Sequence, residues 1–125
     1  MKVTLHGQVT LYSNILTDIR IAQECGYQAI ELHTDKLIRC LDSGLTAEQL
    51  KKYLVEKNIE PAAIDIIGGI ETQLPQEKKQ LFELTERLCE VASVIGAPTI
   101  QVNAFSELEG RPIEEVIGLT AENLQ

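Results

Sequence analysis

The chain has 125 residues, 44% of them hydrophobic, and a formal net charge of −8. That length suits a single domain with a real core, and the acidic balance argues against a nucleic-acid surface or an anionic membrane as partner. No apolar run resembles a signal peptide or approaches the roughly 20 residues a bilayer span needs, and Cys25, Cys40 and Cys89 lack metal-like spacing, so the expectation is a reduced, cytoplasmic chain with partly buried thiols.

In chain order, Lys2 to His6 reads as a first strand, with Thr10 to Tyr12 extended beyond a turn at Gly7. Ser13 or Asn14 can cap a helix whose apolar face includes Ile15, Ile19 and Ala22, because a short side-chain oxygen accepts the orphan backbone N–H groups of the first turn. Gly26 ends that helix in the left-handed region. A second strand, Ala29 to His33, places Ala29, Glu31 and His33 on one face and Ile30 and Leu32 on the other. Asp42-Ser43-Gly44 marks a loop, and Lys36 and Arg39 fall in the connection after the strand.

Thr46-Ala47-Glu48-Gln49 has the form of a capping box, opening a helix with Leu50, Tyr53 and Leu54 on one stripe and Asn58 as its stop. Ala62 to Ile67 is a third strand, apolar on both faces except for Asp65, as a parallel strand covered on both sides should be. Gly68 and Gly69 read as a tight turn, since the lysine of a phosphate loop is absent. A long helix from Pro75 or Gln76 to Ile95 carries Leu81, Leu84, Leu88, Val91 and Ile95 on one stripe and stops at Gly96 and Pro98. Thr99 to Phe105 makes a fourth strand, and Pro112 begins a final helix with Glu114 and Glu115 near its N-terminal dipole, which runs to the end of the chain without a cap. Strands alternating with helices imply a parallel sheet with right-handed crossovers, whose chemistry gathers at the strand C-terminal ends.

Several stretches resemble one family in register. Gly26-Tyr27-Gln28-Ala29-Ile30-Glu31-Leu32 is similar to the segment leading into strand two of xylose-isomerase-like (β/α)8 barrels. Leu50-Lys51-Lys52-Tyr53-Leu54 running into Asn58-Ile59-Glu60-Pro61-Ala62-Ala63-Ile64 resembles their passage into strand three. Leu88 to Ala92 followed by Ile95 to Ile100 resembles the long helix and strand four, and Arg111 to Glu115 through Leu124 the start of helix four. The group holds sugar-phosphate isomerases and epimerases, inosose dehydratases and apurinic-endonuclease relatives. A full barrel needs eight strands and about 250 residues, so the expected fold is α/β, a half-barrel of about four parallel strands: one domain over residues 1–125, truncated after the fourth βα unit. A flavodoxin-like sheet, with strand order 2-1-3-4 and helices on both faces, is the alternative.

The resemblance implies a sugar-phosphate isomerase or epimerase in which a divalent ion (manganese, magnesium, zinc or cobalt) assists proton transfer beside a carbonyl in the intact barrel. It also implies that the principal metal ligands lie on strands five to eight, so no metal is expected on this chain alone. Substrate contacts are expected from Glu31 and His33 on strand two, Asp65 on strand three, Asn103 (with Gln101) on strand four and His6 at the end of strand one. Lys36 and Arg39 are cations that could meet a phosphate. The expected partners are a small sugar or polyol, and a second half-barrel or a second copy; nucleic acid and membrane are not expected. Two other readings remain: a non-catalytic half that assembles with a partner, and a lyase or endonuclease of the same superfamily, the endonuclease disfavoured by the acidic charge.

Overall fold

The computed structural model describes residues 2–104 and 110–125. Four strands, β1 (Thr4–His6), β2 (Ala29–His33), β3 (Glu60–Ile67) and β4 (Ile100–Val102), form one parallel sheet in the order β1-β2-β3-β4. That sequential order is the one a half-barrel requires, and it removes the flavodoxin-like alternative. Five helices accompany it: α1 (Ile15–Glu24), α2 (Thr34–Asp42), α3 (Ala47–Lys57), α4 (Pro75–Ile95) and α5 (Ile113–Asn123).

Local sequence explains most boundaries. Asn14 caps α1 by accepting the Thr17 N–H, and Thr46 and Gln49 form both halves of the capping box of α3. Asn58 ends α3 at φ 53°, a left-handed position that asparagine tolerates better than most residues. Gly96 ends α4 in the same region at φ 83°. The sheet's helix-facing side chains, Leu5, Ile30, Leu32, Ile64 and Ile67, pack with Ile15, Ile19, Leu37, Leu50, Leu54, Leu88 and Ile95 into one core. Because side chains alternate along a strand, the residues between them point to the opposite, concave face.

The structure differs from the sequence expectations in several places. Residues 34–42 are a helix, α2, rather than a loop; it follows β2 without an intervening residue and has no side-chain cap bond. The turn expected at Gly7 is a 3-10 turn, Gly7–Thr10, but Thr10 to Tyr12 continues as turn and is not extended. β3 begins earlier, at Glu60, and β4 is shorter, ending at Val102, while Phe105 lies outside the described residues. α5 closes at Asn123 with Leu124 as its cap position, so it does not run through Gln125. Cys40 is partly buried, as expected, but Cys25 and Cys89 are exposed.

Gly7 is required by close approach. A Cβ there would stand 2.7 Å from the Glu31 carbonyl oxygen and 3.0 Å from the His33 nitrogen. The 3-10 turn therefore lies directly on β2, and this contact holds the end of β1 against Glu31 and His33.

Candidate functional site

Parallel strands present their C-terminal ends along one edge, and three side chains meet there. His6 is the last residue of β1 and lies in register with Glu31 on β2. Asp65 on β3 is in register with His33, one pair further along. His6 Nε2 is 3.1 Å from Asp65 Oδ2 and 3.7 Å from Glu31 Oε2. Burial is graded across the trio: the side chain of Asp65 is 4% exposed, that of Glu31 25% and that of His6 41%. A buried carboxylate demands a partner, and the His6 ring beside Asp65 supplies one.

The ring is also held from its other side. His6 occupies the cap position of the 3-10 turn, and its Nδ1 accepts the Gln8 N–H at 3.1 Å. The turn is fixed in place by Lys36, which is itself buried. Lys36 Nζ donates to the Gly7 and Thr10 carbonyl oxygens and to Thr10 Oγ1, and pairs with Asp18 Oδ2 at 2.8 Å. Asp18 in turn accepts from Ser13 Oγ. Lys36 is thus a structural cation with its donors engaged and not a phosphate contact, because α2 turns it inward. Arg39 stays near the surface, its Nε donating to the Asp35 carbonyl.

Two of the expected contacts lie apart from the trio. His33 is half-buried, and its Nδ1 has no hydrogen-bond partner among the described residues. Asn103 is exposed beyond the end of β4, where its backbone N–H donates to the Ile67 carbonyl at 2.8 Å. Gln101 is in register with Asp65 and half-buried. Sequence reasoning named all three members of the trio but did not foresee which would meet, since pairing register is invisible in a single strand.

A second feature escaped it altogether. A groove of about 780 Å³ is lined by Gly68, Gly69, Glu71, the head of α4 and Arg111. Glu71 is 1% exposed, and Arg111 donates to its carbonyl oxygen at 3.0 Å. Glu71 stands in no motif and Arg111 entered only as the first residue of the helix-four resemblance, so no sequence signal paired them. Gly69 O accepts the Thr72 N–H, so the turn expected at Gly68-Gly69 falls one step later, over residues 69–72 with Ile70 and Glu71 at its centre. Glu71 and Glu77 in the lining oppose an anion there.

Comparison with known proteins gives a consistent architecture. No protein-family model matches the chain, and neither does any curated protein. Among solved structures, the IolI protein with a bound zinc atom superposes with a TM-score of 0.82 at 20% identity, covering 99% of this chain and 45% of that one. A xylose isomerase domain-containing protein from Salmonella typhimurium gives 0.70 at 17% identity, covering 94% of this chain and 42% of that one. The probable 3-DHS dehydratase AsbF of Bacillus anthracis gives 0.65 at 20% identity, covering 100% and 50%. The chain spans about half the length of these structures. Its fold is that of a partial xylose-isomerase-like TIM barrel.

The IolI structure carries zinc, and on this chain His6, Glu31 and Asp65 each offer a ligand atom, all within 4.8 Å of one another. By spacing the three suit an ion, without singling out one metal. His6 Nδ1 is already an acceptor for the Gln8 N–H, so only Nε2 faces the two carboxylates. No described helix is long and apolar enough to cross a membrane.

Proposed function

We propose that this chain supplies the substrate-gripping half of a sugar-phosphate isomerase or epimerase barrel in the cytoplasm, acting on a small sugar or polyol. The observation that carries this reading is the meeting of His6, Glu31 and Asp65 at the C-terminal edge of three adjacent parallel strands, where barrels of this fold keep their chemistry. The carboxylates of Glu31 and Asp65 accept hydrogen bonds from vicinal hydroxyl groups, and the His6 ring, its Nε2 directed at Asp65, orients that carboxylate. Asn103 and His33 extend the polar lining toward the rest of the ligand. A divalent ion held by later strands of a complete barrel would supply polarisation of the carbonyl oxygen, and this half would bind and orient the carbon skeleton.

The half-barrel leaves β1 and β4 at the edges of the sheet. Strand edges offer unpaired backbone groups that favour pairing with another strand. We therefore propose a second half-barrel as the structural partner. A non-catalytic assembling half is the second reading, favoured by the same open edges of β1 and β4.

The test is to join this chain to the C-terminal half of a xylose-isomerase-like barrel and screen sugar phosphates with manganese, magnesium, zinc and cobalt. Metal-dependent isomerisation or epimerisation by the folded chimera, weakened at least tenfold by Glu31→Gln, supports the proposal. A folded, metal-loaded chimera without turnover on any sugar phosphate contradicts it.

A further inference from the structure

We infer that His6 keeps its proton on Nε2, so that the His6–Glu31–Asp65 trio is a hydrogen-bonding group and not a transition-metal centre. Spacing alone points the other way. Zinc holds nitrogen and oxygen ligands at about 2.0–2.2 Å in a tetrahedral array, and the 3.1 and 3.7 Å separations from Nε2 match donors sharing such an ion.

The ring chemistry decides against it. A neutral imidazole has one donor nitrogen and one acceptor nitrogen. The Gln8 N–H points at Nδ1, which makes Nδ1 the acceptor and leaves the proton on Nε2. A metal-bound histidine has the reverse arrangement: one nitrogen gives its lone pair to the ion and the other donates its N–H outward. At His6 the nitrogen facing the carboxylates has no lone pair to give, and the nitrogen with a lone pair faces a backbone donor.

Relaxation to the opposite tautomer is opposed by the surroundings. It would set two N–H groups against each other and strip the Gln8 amide, one of the orphan donors at the start of a helical turn, of its acceptor. The turn cannot swing away to relieve this. Lys36 holds the carbonyl oxygens of Gly7 and Thr10, Asp18 holds Lys36, and Gly7 abuts the β2 backbone. Meanwhile two carboxylates beside Nε2 favour a proton on that nitrogen over the other. The inference concerns this chain's own residues and stands whether or not the complete protein is an isomerase.

Long-range proton–nitrogen NMR correlation of the uniformly nitrogen-15-labelled chain reads the tautomer directly. Spectra recorded over a pH series identify the neutral form of each ring. His6→Gln and His33→Gln assign the two rings. The expected spectrum has an unprotonated Nδ1 and a protonated Nε2 at His6, unchanged by one equivalent of zinc chloride or cobalt chloride. An unprotonated Nε2, or a saturable one-to-one shift of the His6 ring with either metal, overturns the inference. As a gain-of-function arm, Gln8→Pro removes the locking N–H. If circular dichroism shows it folded, its zinc affinity should exceed that of the parent chain at least tenfold; equal affinity in the two folded proteins contradicts the locking role of Gln8.

Discussion

Replacing Lys36 by methionine tests the internal strut beneath the site. Lys36 and Asp18 are 2% and 0% exposed and 2.8 Å apart, and the ammonium also serves the carbonyls of Gly7 and Thr10. Methionine keeps the length of the side chain but leaves the Asp18 charge buried without its cation, while the Thr10 and Gly7 carbonyls keep only local donors such as the Ser13 N–H and Thr10 Oγ1. Removing one partner of a buried pair costs about 3–5 kcal/mol. The exposed pair Arg20–Glu24, at 3.0 Å with side chains 51% and 57% exposed, gives the contrast, since a surface i,i+4 pair contributes only about 0.3–0.5 kcal/mol. Urea unfolding followed by circular dichroism measures both, with the midpoint shift read at constant slope. Lys36→Met should lower the midpoint severalfold more than Arg20→Ala. The double variant Lys36→Met with Asp18→Leu should recover part of the loss, because an apolar pair of similar volume is often neutral or better than a buried ion pair. Equal midpoints for Lys36→Met and Arg20→Ala would refute the strut.

Gly7→Ala should destabilise by about 1–3 kcal/mol, the usual cost of overpacking, with amide shifts concentrated at Glu31 and His33, whose backbone atoms the new methyl would meet; an unshifted spectrum would contradict the close approach. Thr46→Ala should cost about 1 kcal/mol by removing the cap of α3, measured by the same urea assay, and no loss would mean the capping box contributes nothing. Sedimentation velocity over a concentration series should show self-association at micromolar concentration through the open edges of β1 and β4, because charge repulsion is screened beyond about 8 Å at physiological salt; a monomer throughout would count against edge pairing.

The elements that declare themselves in the sequence are those whose ends carry chemistry. α3 and α4 were placed almost to the residue, by Thr46, Gln49 and Asn58 in one case and Pro75 and Gly96 in the other. β2 was legible from its alternation, Ala29 to His33, between two polar punctuations. α2 was hidden for the converse reason: it starts directly on His33 without a capping side chain, and its nine residues include a lysine that reads as solvent-facing. Lys36 is buried only because Asp18, eighteen positions earlier, and two carbonyls converge on it, a tertiary fact with no local trace. The trio was legible in its members and not in its assembly. Glu31 and Asp65 stood out as carboxylates within apolar strands, but their meeting with His6 depends on the pairing of β1, β2 and β3. Glu71 carried no motif, and its contact with Arg111 spans forty positions.

The central claim is that His6, Glu31 and Asp65 face the ligand inside a completed barrel. Its most direct measurement is deuterium wash-in from heavy water at the carbon beside a sugar-phosphate carbonyl, followed by proton NMR with the metal-loaded chimera of this chain and a C-terminal half-barrel. The account predicts exchange by the parent chimera and at least a tenfold loss in Glu31→Gln and in Asp65→Asn, with both variants folded. Exchange undiminished in both variants would contradict it, because the residues at the C-terminal edge of β1 to β3 would then play no part in holding the reacting ligand.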